Sequence, residues 1–377
     1  MKKESKRPSF ELADLLRNHR HNLYSLTSNT WQARTLFALS RCRTKEMGGH
    51  IDKCSDQKCS SLHISYNSCR NRHCPKCQGH LTEKWIGNRE KELLNTSYFH
   101  IVFTMPHELN ELALYKPDVL YNCLFQSTWQ TMIGFGSNSK FLGAKVGMIA
   151  LLHTWGQNLS LHPHLHCIVP AGGVTKTGKW KQTKSKGKFL FPVKKMSRVF
   201  RAKFIENLRK EGITINGELS KALFSKPWVV YTKKPFYGPQ QVIEYLGRYS
   251  HKIAISNHRI KHIEGNSKVT FELKDYKKRG KKESLTLSQE EFIRRFSLHI
   301  LPKGFTKIRH YGILSSSSKI KFRKLIDQEL GKVIFQKNKE EVSKHRFCPK
   351  CKKGHLITLS TFEQRGPPVN WRAQFSS

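Results

Sequence analysis

The sequence predicts an α+β protein, and three observations predict it. Short runs of β-branched and aromatic residues alternate with stretches of helical apolar period. Six cysteines crowd between Cys42 and Cys77, at spacings that suit a metal-bound N-terminal unit. In mid-chain, Leu161-His162-Pro163-His164-Leu165-His166-Cys167-Ile168-Val169-Pro170 reads as a strand with three histidines at period two.

In that strand His162, His164 and His166 share one face, and Leu165, Cys167 and Val169 share the other, the core face. Three imidazoles in a row are costly to bury without partners, and neutral imidazole is the commonest nitrogen ligand for metals. His164 and His166 can therefore hold one ion, the alternative being histidines satisfied by hydrogen bonds. The strand 147–155 precedes it across the turn Gly156-Gln157-Asn158-Leu159, so the two should form a hairpin. That brings His153 and Gln157 near as candidate third ligands.

A second stretch supplies reacting groups. After Gly238-Pro239-Gln240-Gln241, residues Val242, Tyr245, Leu246 and Tyr249 fall on one face of a helix. Read alone, that stripe is core; beside a His-x-His strand it places two phenols where a metal could act.

The chain has 377 residues with 68 Lys plus Arg against 27 Asp plus Glu, a net charge of +41 spread along its length. Such a surface repels itself unless it meets a polyanion. Nucleic acid is the first partner to consider, and an anionic membrane is second, although no basic amphipathic helix with an aromatic face is evident. Packaging like that of ribosomal or chromatin proteins is opposed by a hydrophobic content of 37%, which argues for a folded core. No apolar run is long enough to span a membrane, and the start, Met1-Lys2-Lys3-Glu4-Ser5-Lys6-Arg7, is not that of a signal peptide. A reducing compartment is expected, where the ten cysteines read as metal ligands or thiols and not disulfides.

In chain order, residues 9–41 have helical periods broken at Thr27–Thr30. Cys74-Pro75-Lys76-Cys77 is a knuckle that lets two thiolates reach one ion, and Cys54 and Cys59 are its expected partners around tetrahedral zinc. Cys42 and Cys69, with His50, His63 and His73 nearby, extend that site or complete a second. Arg72 and Lys76 make the finger basic, as DNA contact requires. A helix is expected over 82–97 and a strand over Ser97–Met105, then helices to about Phe135. Further strands are expected at Phe189–Val193, Pro227–Thr232, Ile253–Ile255 and Val269–Leu273, with helices over 195–211 and Glu290–Phe296. Lys277–Lys282 is a cationic loop and Ser315–Ser318 a linker before a basic helix over Lys319–Phe335. The tail holds His345, Cys348, Cys351 and His355, a candidate Cys2His2 zinc site, and Gly366–Val369 reads as extended or disordered.

These runs resemble the two-tyrosine HUH (His-hydrophobic-His) transposases of bacterial insertion sequences that move by a rolling-circle route. The similarity is nearly full length. It is carried by Cys42-Arg43-Thr44, Tyr66-Asn67-Ser68-Cys69-Arg70-Asn71-Arg72-His73-Cys74-Pro75-Lys76-Cys77-Gln78 and Phe99-His100-Ile101-Val102-Phe103-Thr104-Met105-Pro106-His107. It continues in Leu152-His153-Thr154-Trp155-Gly156-Gln157-Asn158-Leu159, His162-Pro163-His164-Leu165-His166, Tyr245-Leu246-Gly247-Arg248-Tyr249-Ser250-His251-Lys252 and Leu301-Pro302-Lys303-Gly304-Phe305. One departure is Cys54-x4-Cys59, wider than the two-residue knuckle of related sequences.

The resemblance implies an N-terminal zinc-binding domain and an HUH nuclease core, an antiparallel sheet flanked by helices. The expected units are a helical, zinc- and DNA-binding domain over 1–95, the catalytic domain over 96–314, and a basic helix with a Cys-x2-Cys tail over 315–377. It makes His164 and His166 the metal-binding pair and Tyr245 and Tyr249 the nucleophiles. The implied cofactors are structural Zn²⁺ and catalytic Mg²⁺ or Mn²⁺. The implied partners are single-stranded DNA at transposon ends and target DNA, in the bacterial cytoplasm at the nucleoid; beside the tyrosines, Arg248, His251 and Lys252 are placed to offset phosphate charge. Because a phosphotyrosine link keeps the phosphodiester energy, no nucleotide cofactor is needed. A rolling-circle initiator or relaxase would share this chemistry, whereas a zinc-ribbon regulator would need neither the tyrosines nor the histidine strand.

Overall fold

The computed structural model describes residues 8–78, 92–184, 188–236, 241–242, 253–275, 280–333 and 347–375. The chain opens with two helices, α1 (Leu12–Asn18) and α2 (Thr30–Ser40). Asn29 caps α2 by accepting from the Gln32 amide. A hairpin of β1 (Gly49–Cys54) and β2 (Leu62–Tyr66) follows. The helix expected over 82–97 falls mainly on residues 79–91, outside the described residues, and its described end is not helical.

The central sheet begins with β3 (Tyr98–Thr104). After α3 (Asn110–Tyr115) comes α4 (Pro117–Ser137), which starts on a proline whose missing N–H is harmless there. The expected hairpin forms from β4 (Gly147–Trp155) and β5 (Leu161–Pro170). A small pair, β6 (Gly172–Val174) and β7 (Trp180–Gln182), leads to α5 (Val193–Lys210). In α5, Met196, Phe200, Phe204 and Leu208 recur every four residues and are all buried. The expected strand at Phe189–Val193 does not form: Leu190 and Phe191 enter the core, but Pro192 is already the N-cap of α5. Next come α6 (Gly217–Ser225) and β8 (Val230–Phe236).

Ile253–Ile255, expected as a strand, makes no strand pairing, and its Ala254 and Ile255 are buried in a core. The pairing is taken instead by β9 (Ile260–Glu264), β10 (Lys268–Asp275) and β11 (Lys281–Ser288), an antiparallel sheet. Of the cationic loop, Lys277–Arg279 lie outside the described residues, while Lys281 and Lys282 begin β11. Then follow α7 (Gln289–Ser297), β12 (Ile308–Gly312), α8 (Lys319–Leu330), β13 (Leu356–Phe362) and α9 (Trp371–Phe375).

Among the described residues, the central sheet has five antiparallel strands in the order β12-β4-β5-β3-β8. Its two faces sort by residue parity. Phe99, Ile101, Phe103, Met148, Ala150, Leu152, Leu165, Cys167 and Val169 join the larger core under α4 and α5. Phe200 seals that core, its ring 5.1 Å from Phe103 and 5.4 Å from Trp228. The opposite face carries Tyr98, Ile149, Leu151 and Ile168, covered by Ile313, Leu314 and Ile326. A further core joins α1, α2 and α7 to the β9–β11 sheet. The last strand, β13, does not stay with α8: it pairs with β1, giving the order β13-β1-β2 and bringing the C-terminal tail into the N-terminal unit. Mixed helices and antiparallel sheets make the fold α+β.

Candidate metal centre

The histidines stand on the second face of the central sheet, at the end where β4 turns into β5. His153 and His164 are direct cross-strand partners, and His166 lies opposite Leu151. The ring centroids of His153 are 5.5 Å from His164 and 4.5 Å from His166, and those of His164 and His166 are 4.9 Å apart. One ligand atom from each of the three lies within 4.8 Å of the others. Trp155 stacks on His153 at 4.5 Å and walls this end of the cluster.

Two hydrogen bonds orient the pair. His164 Nδ1 lies 2.6 Å from the His162 carbonyl, to which it donates, and His166 Nδ1 lies 2.9 Å from His100 Nε2. With both Nδ1 atoms so engaged, Nε2 is the atom each ring would offer to an ion. His100 comes from β3, two positions along from Val102, the direct partner of His166. Burial pushes its pKa down to about 4, with Lys233 and His164 adding to the fall, so it stays neutral. His162 sits at the exposed start of β5, its ring 5.2 Å from His164 and outside the triad.

His153 thus takes the third place beside the expected pair. Gln157 lies in the turn, and its main-chain carbonyl accepts from Arg259. Tyr245, Arg248, Tyr249 and Lys252 lie outside the described residues, but the flanks of their segment are placed. Val242 is fully buried with Tyr98, Ile149, Leu151 and Ile168, on the histidine face. Ile253 and Ala254 line a small pocket with Trp155, His299, Arg72, His73 and Lys307. Burial in this basic surround pushes Lys307 down to about 8, with Arg72 contributing.

Eight of the ten cysteines form two groups, while Cys123 and Cys167 lie in the larger core. Cys42, Cys69, Cys74 and Cys77 meet in one, and Cys54, Cys59, Cys348 and Cys351 in the other. The expected partnership of Cys54 and Cys59 with Cys74 and Cys77 is therefore not the one the structure makes. β1 carries Cys54 away from the Cys74 knuckle and toward the tail. The tail knuckle in turn meets the Cys54 and Cys59 pair, while His355 packs tilted against Phe347, the ring centroids 4.5 Å apart, and His345 lies outside the described residues. In the first group, hydrogen bonds from Cys69 and Cys74 hold Cys42 down to about 7. Cys77 is held low by Cys42, Cys69 and Cys74, while Cys74 is pushed up by its thiol neighbours.

Of the four lysines and arginines expected on DNA, the two that lie among the described residues, Arg72 and Lys76, are engaged within the protein. The Arg72 guanidinium donates to the carbonyls of Pro302 and Phe305, docking the knuckle on the core. Lys76 forms an ion pair with Glu11. His100 is the residue missed in the sequence; its signal was a histidine on the non-core parity of an otherwise apolar strand.

By fold and donor sets, this is an α+β protein with thiol clusters suited to zinc and a separate imidazole cluster able to hold an ion. Comparison with known proteins agrees. Residues 15–105 match the family described as "Transposase zinc-binding domain" (the IS91 type), and residues 147–321 match the family described as "Putative transposase". Among curated relatives, "Putative transposase y4qJ" of Sinorhizobium fredii (strain NBRC 101917 / NGR234) is 37% identical over 96% of this chain and 98% of its own. The "Transposase for insertion sequence element IS801" of Pseudomonas savastanoi pv. phaseolicola is 27% identical over 76% of this chain and 70% of its own. No solved structure matches. The chain belongs to the transposases that carry the IS91-type zinc-binding domain, and its substrate is DNA. Among the described residues, no helix is long and apolar enough to cross a membrane.

Proposed function

We propose that this transposase cleaves and rejoins single-stranded DNA at the ends of its insertion sequence, in a rolling-circle transposition, through 5′-phosphotyrosine links on Tyr245 and Tyr249. One observation chiefly supports the reading. The residues flanking the tyrosine segment, Val242 and Ile253–Ala254, both sit beside the face that carries His153, His164 and His166.

The triad offers three nitrogens, so an ion held there would take its remaining ligands from outside oxygens, the pattern of a site that works on a substrate. A divalent ion held there, Mn²⁺ or Mg²⁺, would withdraw charge from the scissile phosphate, and the imidazoles favour Mn²⁺. A phenol is a weak nucleophile at neutral pH. In the proposed step the phenolic oxygen bonds to phosphorus, its proton leaves, and the bond to the 3′ oxygen breaks. That oxygen takes up a proton as a free 3′-hydroxyl. Rejoining reverses the exchange: a 3′-hydroxyl attacks the phosphotyrosine and the phenol is released. Two tyrosines allow one link to the element and one to the target. Arg248 and Lys252 offset phosphate charge, and the chain's net +41 holds the strand. The thiol group of Cys42, Cys69, Cys74 and Cys77 suits a closed, structural zinc. The place of action is the nucleoid, where the DNA is.

The test is cleavage of labelled single-stranded DNA carrying the element's end, with Mn²⁺ or with EDTA. Wild type should give a metal-dependent covalent protein–DNA band. Tyr245→Phe and Tyr249→Phe should each weaken it, and the double variant should abolish it. A band persisting in the double variant, or binding without any cleavage by wild type, sinks the proposal.

A further inference from the structure

We propose that Cys54, Cys59, Cys348 and Cys351 hold one zinc ion that clasps the C-terminal strand to the N-terminal domain. This site is separate from the one formed by Cys42, Cys69, Cys74 and Cys77. Cys348 and Cys351 lie outside both matched regions, which end at residues 105 and 321.

The geometry is that of a tetrahedral thiolate site. Cys54 Sγ is 3.6 Å from Cys351 Sγ, and Cys59 Sγ is 3.8 Å from Cys348 Sγ. Four sulfurs at about 2.3 Å from a tetrahedral zinc stand about 3.8 Å apart. Each pair is presented by a tight turn. The Cys59 amide donates to the Asp56 carbonyl, and Ser60 next to it is left-handed, with φ 44. In the tail, the Cys348 amide donates to the Gly354 carbonyl, and the Gly354 amide points at Cys351 Sγ, 3.3 Å away. Gly354 must be glycine here, because a Cβ would stand 2.4 Å from Cys54 Sγ. Around Cys348 Sγ, Ser61 Oγ lies at 3.3 Å and His63 Nε2 at 3.4 Å, outer partners that would temper thiolate charge. Zinc with four thiolates carries a net charge of −2, and Lys350, Lys352 and Lys353 surround it in sequence.

The packing around β13 explains why an ion is needed. Ile357 and Leu359 are 55% and 40% exposed. Beside buried Ile51 and the Tyr66–Phe362 ring contact, polar contacts tie the three-stranded sheet: buried Asp52 accepts from Ser65 on one neighbour and Thr358 on the other, each at 2.8 Å. So little apolar burial holds a strand weakly on its own, and metal binding can supply the missing folding energy. The clasp sits where the sheet ends, at the pair Cys54 and Leu356. It makes the tail part of the zinc-binding domain.

The experiment uses the full-length, zinc-loaded protein and reads alkylation by N-ethylmaleimide at each cysteine, with and without a zinc chelator. The expected result is that Cys54, Cys59, Cys348 and Cys351 are protected together and released together. Alkylation of Cys348 and Cys351 while Cys54 and Cys59 stay protected overturns the clasp. Zinc content gives a second measure. Cys348→Ser/Cys351→Ser should fall from about two zinc ions per chain to about one, as should Cys74→Ser/Cys77→Ser. If the tail variant keeps the wild-type zinc content, the clasp is wrong. The wild-type alkylation pattern decides even if a variant fails to fold.

Discussion

His100 Nε2 lies 2.9 Å from His166 Nδ1, with the two rings stacked at 15° and 5.1 Å between centroids. If His166 coordinates through Nε2, its Nδ1 carries the proton and donates it to a neutral His100. Burial keeps His100 neutral by lowering its pKa to about 4. Outer partners of this kind typically tune metal affinity by about 10–100-fold. His100→Phe should therefore weaken Mn²⁺ binding, measured by calorimetry, by about 10-fold or more. His100→Gln, whose amide oxygen can still accept, should recover part of the loss. Equal affinity in all three proteins rules out this role for His100.

Tyr231 is the direct partner of Val102, which on its other side pairs with His166. Parity puts Tyr231 on the histidine face, where it is 56% exposed. An exposed ring beside the proposed cleavage site is a platform on which a base can stack. Tyr231→Ala should lower affinity for single-stranded DNA by about 1–3 kcal/mol, and Tyr231→Phe should keep it. Fluorescence anisotropy with an oligonucleotide distinguishes the two; equal binding by the Ala variant excludes the platform.

The histidine strand was legible because a period of two survives any tertiary context. Its hairpin was legible because the turn at Gly156–Leu159 is short. What sequence could not supply was non-local pairing. Cys54 and Cys351 are 297 residues apart, and no local pattern says that β13 will leave α8 to join β1. The same limit explains Cys54 and Cys59, which were matched to the nearest knuckle along the chain. In the β9–β11 sheet the central strand was legible as Val269–Leu273, but β11 was hidden by charge: it alternates exposed and half-buried residues, so its Lys281 and Lys282 read as loop. Phe189–Val193 has strand composition, but Pro192 starts a helix there.

His299 ties the end of β4 to the following turn. Its Nε2 donates to the carbonyl of Leu159, a buried left-handed residue with φ 62, and Thr154 Oγ1 lies 3.2 Å from its Nδ1. Complete burial lowers its pKa to about 4 from the ordinary 6.5. Arg72, His73 and Lys307 line the same pocket, so a further positive charge is unwelcome. Because the folded pKa is the lower one, the unfolded chain takes the proton first. Stability is full above pH ~6.5 and falls as the pH drops toward ~4, by up to roughly 3 kcal/mol from this group. Thermal melts between pH 7.5 and pH 5 should show a smaller acid loss in His299→Gln than in wild type. Parallel losses would remove His299 as the source.

Phe200 is fully buried, with Phe103, Phe204 and Trp228 around it at ring separations of 5.1, 5.9 and 5.4 Å. Those rings hold α5 against the face of the sheet opposite the histidines. Phe200→Ala should cost about 3–5 kcal/mol, the sum of lost burial and the cavity left behind. Denaturant unfolding measures it, and a loss under about 1 kcal/mol would mean that the helix collapses onto the gap.

Arg72 lies in a basic knuckle, where sequence points to phosphate contact, yet its guanidinium donates to the Pro302 and Phe305 carbonyls. Burial lowers its pKa, which marks a charge held away from water and paid for by those two acceptors. A phosphate-binding arginine and a docking arginine predict different salt behaviour. Losing a phosphate contact lowers the slope of log affinity against log salt by about 1. Losing a docking contact leaves the slope alone and lowers stability, by about 1.5–3 kcal/mol for a charged hydrogen bond. Arg72→Gln should therefore bind single-stranded DNA with an unchanged salt slope while unfolding at lower denaturant. A reduced slope with unchanged stability would return Arg72 to the DNA interface.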